Sequence, residues 1–189
     1  MKCLFLGYNK KQTKIINFLK KKNISVDNKK GNISLGKVKK YDFIITFGYK
    51  KIINKKIIDN ISRPIINLHM SYLPNNRGAH PNFWSFINNT VKGVTIHEVD
   101  KGLDSGPILF QRKIKFDLKK NKNLTFEQTY KILFNELELI FIKNYKKIIS
   151  GKYRVKANDI FKGSIHKKKD LPRDFKNWNT KILKYLINR

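Results

Sequence analysis

Three compact apolar stretches, KCLFLGY (2–8), YDFIITFGY (41–49) and PIINLH (64–69), alternate with segments of helical spacing. KKQTKIINFLKKKN (10–23) gathers Ile15, Ile16, Phe18 and Leu19 on one face, and KKIINKKIIDNIS (50–62) repeats isoleucine in the same way. Residues 24–40 are polar and glycine-punctuated, a short strand and a loop. A β-α-β-α-β order confines the chain to a mostly parallel sheet with right-handed crossovers, because a right-twisted strand feeding a helix returns to its sheet only that way. The fold class is therefore α/β.

Beyond Pro74 comes a loop, NNRGAHPN, and then FWSFINN, a short helix in which Trp84 and Phe86 belong to the core. GVTIHEVD (93–100) and GPILFQRKI (106–114) flank KGLDSG closely enough to pair as an antiparallel hairpin. Thr125 and Gln128 form a capping box ahead of the longest amphipathic run, which stops at Gly151. With no internal repeat or low-complexity linker, residues 1–151 read as one domain and 152–189 as a basic C-terminal extension packed on or near it.

At 189 residues with 40% hydrophobic content, the chain is large enough for one real core and too small for two. No apolar run approaches the roughly 18 residues a membrane span requires. The opening residues read as a strand and not as a secretory signal, and Cys3 stands alone, so the expected compartment is the cytoplasm. The formal charge of +29 invites a nucleic-acid partner. Yet the lysines are scattered, with short clusters at 20–22, 118–120 and 167–169, and arginine is scarce. Heavy use of Lys, Asn and Ile is also what an AT-rich genome produces. Solvated surface charge is the leading reading and a polyanion surface the second, and either steers anionic substrates inward.

GYNKKQ is not a dinucleotide fingerprint, no Walker loop or serine-hydrolase elbow occurs, and the histidines at 69, 80, 97 and 166 lack metal-ligand spacing, so no metal is expected. What stands out lies between residues 67 and 106. Asn67 and His69 are two apart in a short strand, so their side chains share one side, opposite Leu68 and Met70. Burying either unpaired costs about 1–3 kcal/mol. Asp100 and Asp104 follow in the hairpin loop, and ligands of open α/β sheets gather at the carboxyl ends of the strands. An amide, an imidazole and a carboxylate at one strand edge make a set that moves protons and polarises a carbonyl. The plainer alternative is a buried amide and histidine satisfying backbone groups, with aspartates serving the turn at Gly102.

NLHMSYLPNNRGAHPNFW followed by GVTIHEVDKGLDSGPIL resembles the signature of the folate-dependent formyltransferases. That family includes phosphoribosylglycinamide formyltransferase, methionyl-tRNA formyltransferase and the sugar-nucleotide N-formyltransferases. The shared elements are N-x-H-x-S-x-L-P, an R-G loop, G-V-T-x-H and L-D-x-G, and the likeness runs from about residue 41 to 114. It implies a Rossmann-like three-layer fold and transfer of a formyl group from 10-formyltetrahydrofolate to an amine. It carries the catalytic trio onto Asn67, His69 and Asp104, with the amine's proton going to His69 or Asp104. The folate pocket falls on Tyr49, Lys50, Ile52 and Ile53 with Val99, Asp100 and Gly102, and Arg77 and His80 fall where the amine substrate is contacted. His97 reads as a structural or pocket-lining residue and His166 as a weaker site candidate. Met70 stands where several relatives have proline.

The tRNA enzymes usually carry a further C-terminal domain that this chain is too short to include. The stretch YLPNNRGAHPNFWSF looks more like the sugar-modifying or the uncharacterised small members. The expected acceptor is thus an anionic small-molecule amine, a nucleotide-linked amino sugar or similar metabolite, and a homodimer is compatible with it. The alternatives are the same chemistry on methionyl-tRNA, or a non-catalytic nucleic-acid-binding module on the same scaffold.

Overall fold

The computed structural model describes residues 1–188. It opens with β1 (Lys2–Gly7), α1 (Lys14–Lys21), β2 (Ser25–Lys29), α2 (Leu35–Val38), β3 (Phe43–Phe47), α3 (Lys55–Ile58) and β4 (Ile66–His69). There follow β5 (Arg77–Gly78), α4 (Pro81–Ile87), β6 (Gly93–Glu98), β7 (Ile108–Lys113), α5 (Phe126–Ser150), β8 (Ile165–His166) and α6 (Ile182–Ile187). The six-stranded sheet has the order β2-β1-β3-β4-β6-β7, and β5 pairs with β8 apart from it. β2, β1, β3 and β4 run parallel, while β6 and β7 join antiparallel as the expected hairpin. The mostly parallel sheet with a late antiparallel hairpin is as the sequence predicts.

The two faces of the sheet are covered unequally. Phe5, Ile45, Phe47, Leu68 and Ile96 pack on one face with Ile15, Ile16 and Leu19 of α1 and Leu133, Leu137 and Phe141 of α5. Leu4, Leu6, Ile44 and Ile65 lie on the other with Val38 and Ile57, from α2 and α3. Those two helices are four residues each. The helix expected over 50–62 shrinks to Lys55–Ile58 because Asn54 caps it, its side chain accepting from Lys56 N–H. Short helices leave the rest of this face to loops. A third cluster, Phe83, Trp84, Phe86, Phe126, Phe175 and Ile182, joins α4 and α5 to the C-terminal residues.

Local signals at helix ends are clear. The Thr125–Gln128 capping box is present in both directions, and Gly151 ends α5 at φ 71°, a conformation that costs glycine least. α1 begins at Lys14, later than its periodicity suggests, where Thr13 caps it and Glu138 of α5 accepts from both the Thr13 hydroxyl (2.6 Å) and Lys14 N–H (2.8 Å). That use of an acid is general. Each of the 13 Asp and Glu residues accepts a hydrogen bond or an ion pair from within the chain.

Phe141 is fully buried against the sheet while Ile52 is 96% exposed. Phe141→Ala should therefore cost about 3–5 kcal/mol and Ile52→Ser less than about 0.5 kcal/mol. Both are read from urea unfolding midpoints at constant slope.

Candidate active site

Asn67 lies opposite Thr46 of β3 and His97 of β6, so three polar side chains share the thinly covered face of the sheet. The Thr46 hydroxyl donates to Asn67 Oδ1 at 2.6 Å. This turns the amide nitrogen toward Asp104 Oδ1 and His97 Nε2, each 3.0 Å away. The reversed amide would set an oxygen against the carboxylate, so its orientation is dictated. His97 Nδ1 lies 2.6 Å from the Glu98 carbonyl, which needs the ring hydrogen there and leaves Nε2 to accept from Asn67. Both amide hydrogens of Asn67 are thereby engaged.

His69, 7% exposed, sits between two acceptors: Nδ1 is 3.5 Å from Asp104 Oδ2 and Nε2 is 3.3 Å from the Asn76 carbonyl. Burial pushes the imidazole below its ordinary 6.5, and Asp104 and the Asn76 carbonyl pull the other way without overcoming it. The resting ring is neutral. Burial also pushes the Asp104 carboxyl up, but the neighbouring histidines and the Gly78 N–H, at 2.8 Å from Oδ2, hold it well below the usual carboxylate range. The Asn67 amide and the Gly78 N–H each donate to one of its two oxygens, Oδ1 and Oδ2. Gly78 is at φ +87°, and a Cβ there would meet the His166 carbonyl at 2.3 Å, so β5 can lie this close to β8 only as glycine.

The route that brings Asp104 here differs from a simple loop at the carboxyl edge. Glu98, the last residue of β6, pairs with Ile66 at the start of β4, so the hairpin loop leaves at the end away from His69. It then folds back over the sheet face, with Asp104 itself at φ 48°. Asp100 braces this turn, its Oδ1 accepting from Gly102 N–H (3.0 Å) and the Ser105 hydroxyl (2.6 Å). Asp100 and Gly102 are thus tied into the turn, as the plainer reading of these residues holds.

The remaining predicted residues lie outside this hydrogen-bonded centre. Tyr49, Ile53 and Val99 are half-buried and pack on the same apolar cluster. Tyr49 is anchored by its hydroxyl to the Gly31 carbonyl at 2.9 Å. Lys50 and Ile52 are exposed beyond it, as is Leu103, next to Asp104. Arg77 adjoins Gly78, and its Nε is buried without a hydrogen-bond partner. His80, also left-handed at φ 54°, lies 5.3 Å from the Trp178 ring; burial and Lys168 lower its pKa. His166 is apart from the trio, stacked flat on Trp84 at 4.1 Å. Thr46, Asn76, Asn158 and Ser164 are contributors that sequence reasoning missed. Only Thr46 carries a signal, as the polar residue in an otherwise apolar FIITF. Two concavities lie elsewhere, one at the start of β3 beside Tyr41 and Arg63 and one beside Tyr153 and Arg154. Neither reaches the trio.

A neutral imidazole beside a fixed carboxylate accepts a proton, and an amide held in one orientation polarises a carbonyl. Comparison with known proteins points the same way. The family model described as formyl transferase matches residues 2–131. The chain is 35% identical over 130 residues to methionyl-tRNA formyltransferase of Finegoldia magna, covering 67% of this chain and 41% of that protein. It is 32% identical over 133 residues to dTDP-4-amino-4,6-dideoxyglucose formyltransferase of Mycobacterium tuberculosis, covering 70% and 54%. It thus spans about half the length of the curated relatives it matches. The formyltransferase PseJ of Anoxybacillus kamchatkensis, solved with UDP-4,6-dideoxy-4-formamido-L-AltNAc and tetrahydrofolate, superposes with a TM-score of 0.87 at 36% identity over 98% of this chain and 97% of that one. A model match over most of the chain, relatives above 30% identity and a near full-length structural likeness agree: the chain belongs to the formyl transferase family.

Proposed function

We propose that this protein transfers a formyl group from 10-formyltetrahydrofolate to the primary amine of a nucleotide-linked amino sugar. The observation that carries the reading is the Asp104 carboxylate, set 3.0 Å from the Asn67 amide and 3.5 Å from the His69 ring on one sheet face. PseJ, similar along nearly its whole length, was solved with a formamido sugar nucleotide and tetrahydrofolate, which supports both the donor and the acceptor class. Residues 1–151 form the catalytic domain in this reading and 152–189 an extension packed on it.

The donor supplies an activated formyl carbon. An apolar rim with a polar floor fits its flat ring, and Ile52, 96% exposed, and Leu103, 48% exposed, provide such a rim. Tyr49, Lys50, Ile52 and Ile53 form one lip of that pocket, with Val99, Asp100 and Gly102 opposite. Arg77, whose buried Nε is an unused donor, and His80 receive the anionic part of the acceptor.

His69 takes the amine proton, because it is neutral and Asp104 is too weak a base. Once charged, the ring finds an acceptor already at each nitrogen, Asp104 at Nδ1 and the Asn76 carbonyl at Nε2. Asp104 stabilises that charge and stays ionised. Asn67 polarises the formyl oxygen by exchanging its bond to His97, the weaker of its two, since the other is charge-assisted.

A second reading, transfer to methionyl-tRNA, draws on the likeness to the Finegoldia enzyme and on the +29 charge. It requires tRNA binding near 150 mM salt that weakens steeply as salt rises.

The deciding assay is formyl transfer from 10-formyltetrahydrofolate to a panel of nucleotide-linked amino sugars, with product mass as readout. Transfer to none of them while methionyl-tRNA is formylated would replace the first reading by the second. His69→Asn should lower kcat about 10²- to 10⁴-fold, the worth of a positioned proton acceptor, with binding of a folate analogue by calorimetry unchanged. The acidic limb of kcat/KM belongs below pH 6.5, since protonating His69 removes its lone pair and burial displaces that event downward. A limb centred above pH 7 would assign the proton to another group.

A further inference from the structure

The loops that carry the two acceptors flanking His69 are held from outside by one segment of the C-terminal extension. Asn158 Nδ2 donates to the carbonyls of Asp104 (3.1 Å) and Gly106 (3.2 Å). The chain reaches this point by pairing Lys156 with Ile108 through two backbone hydrogen bonds of 2.9 Å. Among its exposed neighbours, Asn158 alone between residues 154 and 159 is half-buried. Ser164, six residues on, accepts from Asn76 N–H (2.9 Å) and donates to Asn76 Oδ1 (3.2 Å). Its own carbonyl accepts from Arg77 N–H at 2.9 Å. Gly163 between them lies so close to the Pro74 carbonyl that a Cβ would meet it at 2.0 Å.

These contacts converge on one ring. Asp104 is a non-glycine residue at φ 48°, a conformation that costs free energy and persists only where the surroundings hold it. The Asn158 amide grips the carbonyl of that same residue. Asn76 likewise is left-handed at φ 55°, and its carbonyl is the one facing His69 Nε2. Two strained residues supply the two acceptors, and each is held by a side chain from the extension.

We propose that Asn158 and Ser164 are positioning residues for formyl transfer, holding the Asp104 carboxylate and the Asn76 carbonyl on either side of the His69 ring, so that the extension completes the catalytic centre. This rests on the proposed formyl transfer, and it makes the extension a requirement for turnover as well as for packing. Displacement of an acceptor by about an ångström is enough to lower turnover by up to about 100-fold.

The test uses the full chain with Asn158→Ala, Asn158→Leu, which keeps the size without the donor, and Ser164→Ala. Two readouts are taken on each. The first is steady-state transfer from 10-formyltetrahydrofolate: kcat should fall about tenfold or more with the donor KM within about twofold, the signature of lost transition-state geometry. The second needs no turnover: the His69 ring is titrated by NMR. The groups facing it are Asp104, His97 and the Asn76 carbonyl. Releasing Asp104 or Asn76 removes what favours the charged ring, so its titration should move to lower pH in every variant. A role confined to packing would lower the melting temperature and leave that titration in place. Folded variants with unchanged kcat and unchanged His69 titration would overturn the proposal, and so would loss of folding in all three. If the wild-type chain formylates no amine, the function reading falls, and the titration still decides whether the clamp exists.

Discussion

A buried carboxylate can remain ionised only where hydrogen-bond donors replace the water it has lost, and removing one such partner typically costs about 3–5 kcal/mol. Asp104 meets that condition with donors from separate parts of the chain: the Asn67 amide on β4 and the Gly78 N–H on β5, with His69 alongside. The strand, the loop after it and the hairpin loop are thereby tied at one pair of oxygens. Much of the geometry around the site follows from satisfying them. Gly78 must approach β8, the hairpin loop must double back, and Asp104 must adopt a left-handed backbone to aim both oxygens inward.

The site lies where it does because the two faces of the sheet are covered differently. α5, 25 residues long, spans one face together with α1 and encloses an apolar core. On the other face α2 and α3 are single turns, so the side chains farther along the strands are buried by loops, whose backbone groups polar side chains can bond. Thr46, Asn67, His97 and Thr95 occupy those positions. Thr95 uses its hydroxyl to hold the 71–73 backbone, donating to the Ser71 carbonyl at 2.7 Å and accepting from Leu73 N–H at 3.1 Å. Polar strand residues and the loops that cover them are one construction.

Features set by local chemistry were legible in the sequence. The Thr125–Gln128 box, the stop at Gly151, the alternating strands and the hairpin all appear, because period and capping act over a few residues. The shared side of Asn67 and His69 was legible for the same reason. The doubling back of the hairpin loop was not, since it depends on a register set by contacts thirty residues apart. Nor was the role of the C-terminal residues: β5 and β8 are two residues each and carry no periodicity, and Asn158 and Ser164 look like ordinary loop residues until their partners are known. The 50–62 segment shows the opposite failure, where isoleucine spacing continued past the point at which an asparagine had already set the helix start.

The complete engagement of the acidic residues has a bearing on behaviour in acid. Glu138 joins two helices, Asp100 shapes a turn, Asp104 centres the site, and Asp27 and Asp59 hold lysines or a tyrosine near the sheet. Asp27, Asp59, Asp104 and Asp159 all have pKa values held below the ordinary carboxylate. Their contribution is present above the unfolded carboxylate range and is lost as pH falls through the folded values. Each proton gained there both cuts a tie and adds a positive charge to a chain already at +29. Acidification would therefore loosen the molecule at these four aspartates together.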